Sequence, residues 1–183
     1  MKADKTDEQL LGEFQAGKNA ALAELARRYE QALLGLTSGL LGGRRELACD
    51  AVQETWLRVI RFGNQFMGRS SFKIWLYRIA VNQCRTLQTT RSEPDVGDAV
   101  KDQADNDNPP ERASHAADRN HTLQSAIARL EPDRRLVVLL CYHTGMTHAQ
   151  AAEILEVPVG TLKSRLHAAL NDLRASLATE AQP

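Results

Sequence analysis

The length, composition and charge of this chain exclude several classes of protein. Its 183 residues, 43% of them hydrophobic, are enough for one large domain or two small ones. No run of 18 apolar residues occurs, and the polar, acidic start over Met1–Glu8 lacks the apolar core of a signal peptide, so we expect a cytoplasmic protein that does not insert into a membrane.

The formal net charge is zero, but the charges are unevenly distributed. Residues 1–91 carry 14 Lys and Arg against 9 Asp and Glu, residues 92–118 carry 2 against 8, and residues 119–183 carry 7 against 6. The chain is therefore basic at first, then acidic, then nearly neutral. So low an overall basicity predicts weak DNA binding by the isolated chain, because non-specific affinity grows with the number of phosphates neutralised.

Helical periodicity dominates the first part of the chain, where apolar residues recur at three- and four-residue spacing. Thr6 or Asp7 is suited to cap a first helix. Further helices are predicted over about 19–41, 45–62 and 71–90, and Gly42-Gly43 ends the first of these three.

The composition changes over residues 92–118, which contain eight acids, three prolines and only two valines as large aliphatic residues. Such a segment cannot bury enough apolar surface to offset the entropy lost on ordering. We therefore predict an all-α fold made of two small helical domains, residues 1–91 and 119–183, joined by a flexible acidic linker.

The second domain contains the pattern of a helix-turn-helix. A helix over about 119–130 is followed by another that starts at Pro132, with proline in its first turn, and ends at Gly145. Thr147 and Gln150 form a capping box for a short helix, residues 156–160 are a turn, and a long helix follows to about residue 177. In a helix-turn-helix the second helix enters the major groove of DNA.

The last helix has two contrasting faces. One is an apolar stripe of Leu162, Leu166, Leu170, Leu173 and Leu177. The opposite face is small and polar: Gly160, Ser164, His167, Ala168 and Asn171, flanked by Thr161, Lys163 and Arg165. A surface helix in a plain helical bundle also has one apolar face, but the capped helix and the Pro-Val-Gly-Thr turn before this one favour insertion into a DNA groove.

Two segments of the first domain have exposed functional candidates. In the third helix, Val52, Trp56, Val59 and Ile60 are predicted to fill the core, whereas the opposite face carries Asp50, Gln53, Glu54, Leu57 and Arg61. An outward leucine with a polar rim is typical of protein-docking surfaces. The fourth segment pairs a glycine-containing loop with a helix that mixes aromatic and basic residues, as binding of unstacked DNA bases requires. We expect Trp75 to belong to the core and Arg69, Ser70, Asn82 and Arg85 to contact DNA.

Three segments, Asp50–Val59, Phe72–Asn82 and Val157–Leu166, resemble the extracytoplasmic-function (ECF) sigma factors of bacterial RNA polymerase, which are members of the sigma-70 family. The resemblance covers both predicted domains, and the three motifs together, in this order, are highly specific. It implies a non-enzymatic subunit that keeps sigma regions 2 and 4, binds core RNA polymerase and directs promoter recognition and melting.

The resemblance also implies roles for individual residues. It implies that docking on the polymerase clamp helices involves Asp50, Gln53, Glu54 and Leu57. A flipped base of the −10 element would be held by the loop of Met67, Gly68, Arg69, Ser70 and Ser71 and read with Asn82, with Arg85 on the path of the strand. The −35 element would be contacted by His148, Thr161, Lys163, Ser164 and His167, with Arg165 on the same face.

Further implications of the resemblance concern partners and one turn residue. Beyond the clamp helices and the polymerase flap, it implies promoter DNA and a cognate anti-sigma factor as partners, and no cofactor. Glu156 stands at a turn position that the family often fills with glycine. If its φ is positive, the strain is about 1 kcal/mol.

Three alternatives stay open from the sequence. A helix-turn-helix regulator acting on duplex DNA without polymerase would bind DNA tightly on its own, and an anti-sigma or scaffold protein would leave the recognition-helix face unexplained. An enzyme is disfavoured because no Gly-rich phosphate loop, H-E-x-x-H or G-x-S-x-G occurs. The three cysteines, Cys49, Cys84 and Cys141, predict neither a disulfide framework nor, despite nearby His143 and His148, a metal site.

Overall fold

The chain folds as eight α-helices, seen here in a computed structural model that describes residues 5–92 and 114–180. The all-α fold class is confirmed, since the described residues contain no strand. None of the described helices is long and apolar enough to span a lipid bilayer. In chain order the helices are α1 (Asp7–Gln15), α2 (Asn19–Leu40), α3 (Arg45–Phe62), α4 (Phe72–Ser92), α5 (Ser114–Arg129), α6 (Pro132–Val138), α7 (His148–Leu155) and α8 (Val159–Glu180).

The starts of the helices follow the capping signals of the sequence. At α1 the amide of Gln9 donates to the Thr6 hydroxyl (3.2 Å), and the Gln9 side chain accepts from the Thr6 amide (2.9 Å). Thr147 and Gln150 repeat this arrangement at α7 (3.3 and 3.0 Å). Both capping boxes satisfy amides that have no partner within the helix. Pro132 occupies the first turn of α6, as predicted.

The first half of the chain buries the facing stripes of α2, α3 and α4. Leu25, Leu36, Val59 and Leu76 are fully buried there. The start of α4 is fixed by α1, because the Glu8 carboxylate accepts a hydrogen bond from the Phe72 amide (2.9 Å). This packing holds α3 and α4 side by side and leaves the outer face of α3 exposed.

The second half packs α6 and α7 against the leucine stripe of α8. Leu140 and Leu162 are fully buried, and Leu166 and Leu173 are nearly so. Asp133 at the start of α6 forms an ion pair with Arg165 of α8 (2.9 Å). The apolar stripe predicted for the last helix is thus a core stripe, and the opposite face of α8 points away from the helices that hold it.

Two further features concern the connections. A π-helical turn, Leu139–His143, continues α6 and lies against α2, while α7 contacts α4, so the two halves share one hydrophobic core. Most of the linker predicted over 92–118 lies outside the described residues, and residues 114–118 are the first residues of α5. The predicted domain boundaries stay predictions.

Candidate functional site

The outer face of α3 carries an apolar centre with a polar rim. Leu57 is 52% exposed, and Asp50, Gln53 and Glu54 are exposed around it. Glu54 forms an ion pair with Arg58 one turn along the helix (3.2 Å). The four residues predicted to bind polymerase therefore share one accessible surface.

The prediction that Ile60 fills the core is wrong, since this side chain is 51% exposed. The buried line of α3 consists of Ala48, Ala51, Val52, Thr55 and Val59. At about 100° per residue, Ile60 lies roughly 120° from the middle of that line, on the side of Leu57. Trp56 lies closer to the line and is half-buried. Ile60 thus enlarges the apolar centre of the exposed face.

The face of α3 continues into a groove of about 260 Å³ that α4 closes on its other side. Sequence reasoning missed Gln83 and Leu87, the α4 residues that line this groove together with the predicted α3 residues. They follow the spacing of one helix face, but only the packing of α3 against α4 places them beside Leu57.

The loop before α4 is held at both ends by aromatic rings and helix caps. The Phe66 and Phe72 rings stand 6.5 Å apart, centroid to centroid, on either side of it. Gly68 has a φ of 67°, which a side chain at this position would oppose. Ser71 caps α4 through its hydroxyl, which accepts from the Ile74 amide (3.3 Å). Met67 is 70% exposed, and Gly68 and Arg69 are also exposed, so the anchored loop offers a free surface.

The helix that follows this loop carries a half-buried tryptophan and two exposed polar residues. Trp75 is half-buried and packs on Phe66 and Phe72, with ring centroids 5.4 and 6.1 Å away. Asn82 and Arg85 are exposed further along α4, about two and three turns after Trp75. Helix α4 thus carries an exposed amide and an exposed guanidinium beyond the loop, groups that can hydrogen-bond to an unstacked strand.

The outer face of α8 is open to solvent in this structure. Lys163, Ser164 and His167 are exposed, Thr161 is partly exposed, and His148 is exposed at the start of α7. The Ser164 hydroxyl donates to the Thr161 carbonyl one turn earlier in the helix (2.9 Å). Arg165 differs from these residues, because its guanidinium pairs with Asp133. Five of the six predicted −35 residues are thus accessible to DNA. Arg165 would have to give up its ion pair with Asp133 before it could contact DNA.

The turn between α7 and α8 contains a strained residue. Glu156 has φ 56° and ψ 41°, a left-handed conformation, so the condition for strain at this position is met. Its carboxylate lies 3.7 Å from the Arg78 guanidinium of α4, and the Glu156 side chain is 73% exposed. An ion pair this exposed contributes little, so it does not compensate for the backbone strain.

Replacing Glu156 with glycine should stabilise the protein by about 0.5–1 kcal/mol, since the relief of left-handed strain outweighs the extra freedom glycine adds to the unfolded chain. Urea unfolding followed by circular dichroism measures the change. Gly145→Ala is the matched control, because it makes the opposite change at another left-handed residue. Gly145 has a φ of 64° and open space around the position of a Cβ. It should destabilise by about 1 kcal/mol, and a gain in stability there would contradict the strain argument.

The cysteine side chains that the structure describes differ in their burial. Cys84 is buried, Cys141 is partly buried and Cys49 is exposed. Burial raises the pKa of the Cys84 thiol to about 12 and also raises the pKa of Cys141. Among the residues the structure describes, no three His, Cys, Asp or Glu side chains come together as metal ligands.

We expect the three thiols of the native protein to react with iodoacetamide at pH 8 in the order Cys49, Cys141, Cys84. The thiolate is the nucleophile, so exposure favours Cys49, and the raised pKa and burial protect Cys84. Peptide mass spectrometry after timed quenching gives the order, and urea should remove the differences. Fast labelling of Cys84 in the folded state would contradict its burial.

Comparison with known proteins shows which family this chain matches. The family model for sigma-70 region 2 matches residues 25–92, and the model for sigma-70 region 4 matches residues 121–173. The chain is 29% identical over 176 residues to the RNA polymerase sigma-H factor of Pseudomonas aeruginosa, covering 91% of both chains. It is 28% identical over 193 residues to the ECF RNA polymerase sigma-E factor of Escherichia coli, covering 100% of this chain and 98% of that one.

Two solved structures share the fold. CnrH, solved in complex with the cytosolic domain of CnrY, superposes with a TM-score of 0.74 at 22% identity, covering 97% of this chain and 100% of that one. The sigma factor RpoE, solved in complex with the anti-sigma factor NepR from Bartonella quintana, gives 0.60 at 20% identity, covering 87% and 99%. At these identities the likeness concerns the fold alone.

Proposed function

The chain belongs to the sigma-70 family, within its ECF group, and on this premise we propose that it docks on core RNA polymerase through α3 and reads a promoter with α4 and α8. One observation supports these separate roles for α3, α4 and α8. The exposed apolar face of α3, the anchored loop before α4 and the outer face of α8 are three separate accessible surfaces on one chain. A regulator that acts on duplex DNA alone would need only the last.

The polymerase-docking surface consists of Asp50, Gln53, Glu54 and Leu57, extended by Ile60 and the groove with α4. Leu57 lies at the centre, where apolar anchors contribute most to binding, and the acidic and amide groups form the rim. Acidic rim groups suit a basic partner surface and would guide its approach.

The two DNA-reading surfaces act on different forms of the promoter. The loop Met67–Ser71, with Asn82 and Arg85, would bind a base of the melted −10 strand, and this binding stabilises the open duplex over the closed one. The outer face of α8, with His148, would read the −35 duplex through donors and acceptors in the major groove. Each well-read base pair adds about 1–3 kcal/mol to the discrimination between sequences.

The chain itself would carry out no chemical step and would act in the cytoplasm, where core polymerase is. A further partner follows from the structural neighbours, one of which was solved with the anti-sigma factor NepR. We infer that an anti-sigma factor also controls this chain, by covering surfaces that polymerase or DNA would use.

Run-off transcription tests the proposal. Core polymerase with this chain should start at a specific promoter selected from a genomic library, and core polymerase alone should not. Lys163→Ala should reduce the specific product about tenfold, since one groove contact of 1–3 kcal/mol is lost. Lys18→Ala, which removes another exposed lysine, at the N-cap of α2, is the matched control and should leave transcription unchanged.

Two outcomes would contradict the proposal. If no promoter gives a specific start, the chain does not act as a specificity subunit under these conditions. If the free chain binds a duplex tightly in a gel shift and core polymerase does not increase this binding, the chain is instead a regulator that acts on DNA without polymerase.

A further inference from the structure

Helix α1 contacts both ends of the segment that connects α3 to α4, residues 63–71. Glu8, Leu11 and Gln15 follow the spacing i, i+3 and i+7, so they share one face of α1. We call these three residues the loop-contact face. It touches the connecting segment at residue 63, where the segment begins, and at residue 72, where α4 begins. At 1.5 Å per residue, about 10 Å of helix separates the first and last residues of this face.

At the start of the connecting segment, Gln15 fixes a backbone carbonyl. Its side-chain amide donates to the Gly63 carbonyl (2.7 Å), which also accepts from the Phe66 amide (3.0 Å). A carbonyl oxygen has two lone pairs and can accept both bonds. Gly63 is buried, and a Cβ at this position would lie 3.5 Å from Cδ1 of Leu11. Gln15 therefore orients the short turn that leads to Phe66, one of the two rings beside the loop.

At the end of the connecting segment, Glu8 provides an acceptor for the first amide of α4. The Phe72 amide has no partner within its own helix, and it donates to the Glu8 carboxylate (2.9 Å). A carboxylate at this end of a helix also interacts favourably with the helix dipole. The Ser71 hydroxyl accepts from the Ile74 amide (3.3 Å) and completes the cap. Two acceptors from distant parts of the chain thus fix the residue at which the loop Met67–Ser71 ends.

Helix α1 is itself fixed to α2. The Asp7 carboxylate accepts hydrogen bonds from the Arg28 guanidinium (2.9 Å) and from the Tyr29 hydroxyl. Arg28 also donates to the Lys5 carbonyl (2.9 Å). These bonds do not involve the connecting segment, so α1 is a fixed support for the loop.

A loop that already has the shape of its bound state binds more tightly, because less conformational freedom is lost on binding. Between its fixed ends, the loop exposes Met67, Gly68 and Arg69. We propose that Glu8 and Gln15 are positioning residues for −10 recognition, through which α1 holds the loop Met67–Ser71 in the shape that receives a base. This role rests on the function proposed above for the loop, whereas the anchoring itself is a property of the free chain.

Amide hydrogen exchange of the ¹⁵N-labelled free chain, followed by NMR, tests the anchoring. In Glu8→Ala the Phe72 amide loses its charged acceptor and should exchange about tenfold faster or more. Glu8→Gln keeps an acceptor oxygen at this position and should retain most of the protection. The matched control is Glu13→Ala, which removes another carboxylate of α1, one that pairs with Lys5 (2.6 Å), and should leave the Phe72 amide unchanged.

Run-off transcription with core polymerase tests the positioning role. The promoter is compared with variants that each carry one changed −10 or −35 base pair. For the −10 base that matters most to the wild type, Glu8→Ala should lower the ratio of product from the original and changed promoters about fivefold. The corresponding ratio for −35 changes should stay as in the wild type, and Glu8→Gln should restore the −10 ratio. A loss of stability alone would reduce the product from all promoters equally and leave both ratios unchanged.

Unchanged exchange of the Phe72 amide in Glu8→Ala would overturn the anchoring whether or not the chain supports transcription. Faster exchange with an unchanged −10 ratio would overturn the positioning role. Faster exchange with no specific transcription, even by the wild type, would contradict the proposed function while the anchoring is confirmed. If Glu8→Ala loses helix by circular dichroism, Gln15→Ala, which releases the other end of the segment, is tested in the same way at the Phe66 amide.

Discussion

Replacing Leu57 with aspartate is expected to weaken binding to core RNA polymerase by about 30-fold or more. Leu57 is 52% exposed at the centre of the α3 face, and central apolar anchors in protein interfaces contribute about 2 kcal/mol or more. A carboxylate there would also be desolvated against the partner. The same exposure means that folding does not depend on this side chain, so the free energy of unfolding should change by less than about 0.5 kcal/mol.

Fluorescence anisotropy of the labelled chain titrated with core polymerase measures the loss. Leu123→Asp is the matched control, since Leu123 is a 42% exposed leucine on α5, away from the α3 face. It should bind as the wild type does. Equal affinity for Leu57→Asp and the wild type would show that polymerase docks elsewhere, and equal losses for both leucines would point to a general effect of a new charge.

The local elements of the fold were predictable because their signals are local. Thr6 with Gln9 and Thr147 with Gln150 satisfy helix amides within one turn, so the sequence alone determines where α1 and α7 begin. The leucine stripe of α8 is likewise a property of one helix. The left-handed φ of Glu156, by contrast, was raised only as a condition by the resemblance to a family that often has glycine at this turn position.

Features that depend on packing between helices were not predictable in this way. Ile60 satisfies an apolar pattern but lies outside the line that α4 and α2 cover, and only tertiary structure defines that line. Gln83 and Leu87 line the groove beside Leu57 because α4 packs against α3. The same holds for Gly35 and Gly39, which look like weak points of α2 until His143 and Leu139 are placed against them.

The aromatic cluster at the start of α4 links the stability of the first half to its proposed function. Phe72 is fully buried, and its ring lies 5.9 Å from Tyr29, 6.5 Å from Phe66 and 6.1 Å from Trp75, centroid to centroid. Phe66 and Phe72 flank the loop of residues 67–71. Both the core and the shape of the loop therefore depend on one ring.

Phe72→Ala is expected to lower the free energy of unfolding by about 3–5 kcal/mol, the cost of removing a fully buried phenylalanine and leaving a cavity. Domains are stable by only about 5–15 kcal/mol, so much of the stability of the first half would be lost. Urea unfolding followed by tryptophan fluorescence suits the measurement, because Trp75 lies in the same cluster.

The matched control for this change is Phe62→Ala at the end of α3, where the ring is 36% exposed and lies under Arg61, 5.5 Å from the guanidinium carbon. Its loss should be about 1 kcal/mol or less. At a temperature where Phe72→Ala remains folded, permanganate footprinting should still show weaker promoter melting, because a loop with one flanking ring no longer holds its shape. If melting is normal although stability is reduced, the loop does not depend on the aromatic cluster for its function, which would contradict the proposed role of residues 67–71.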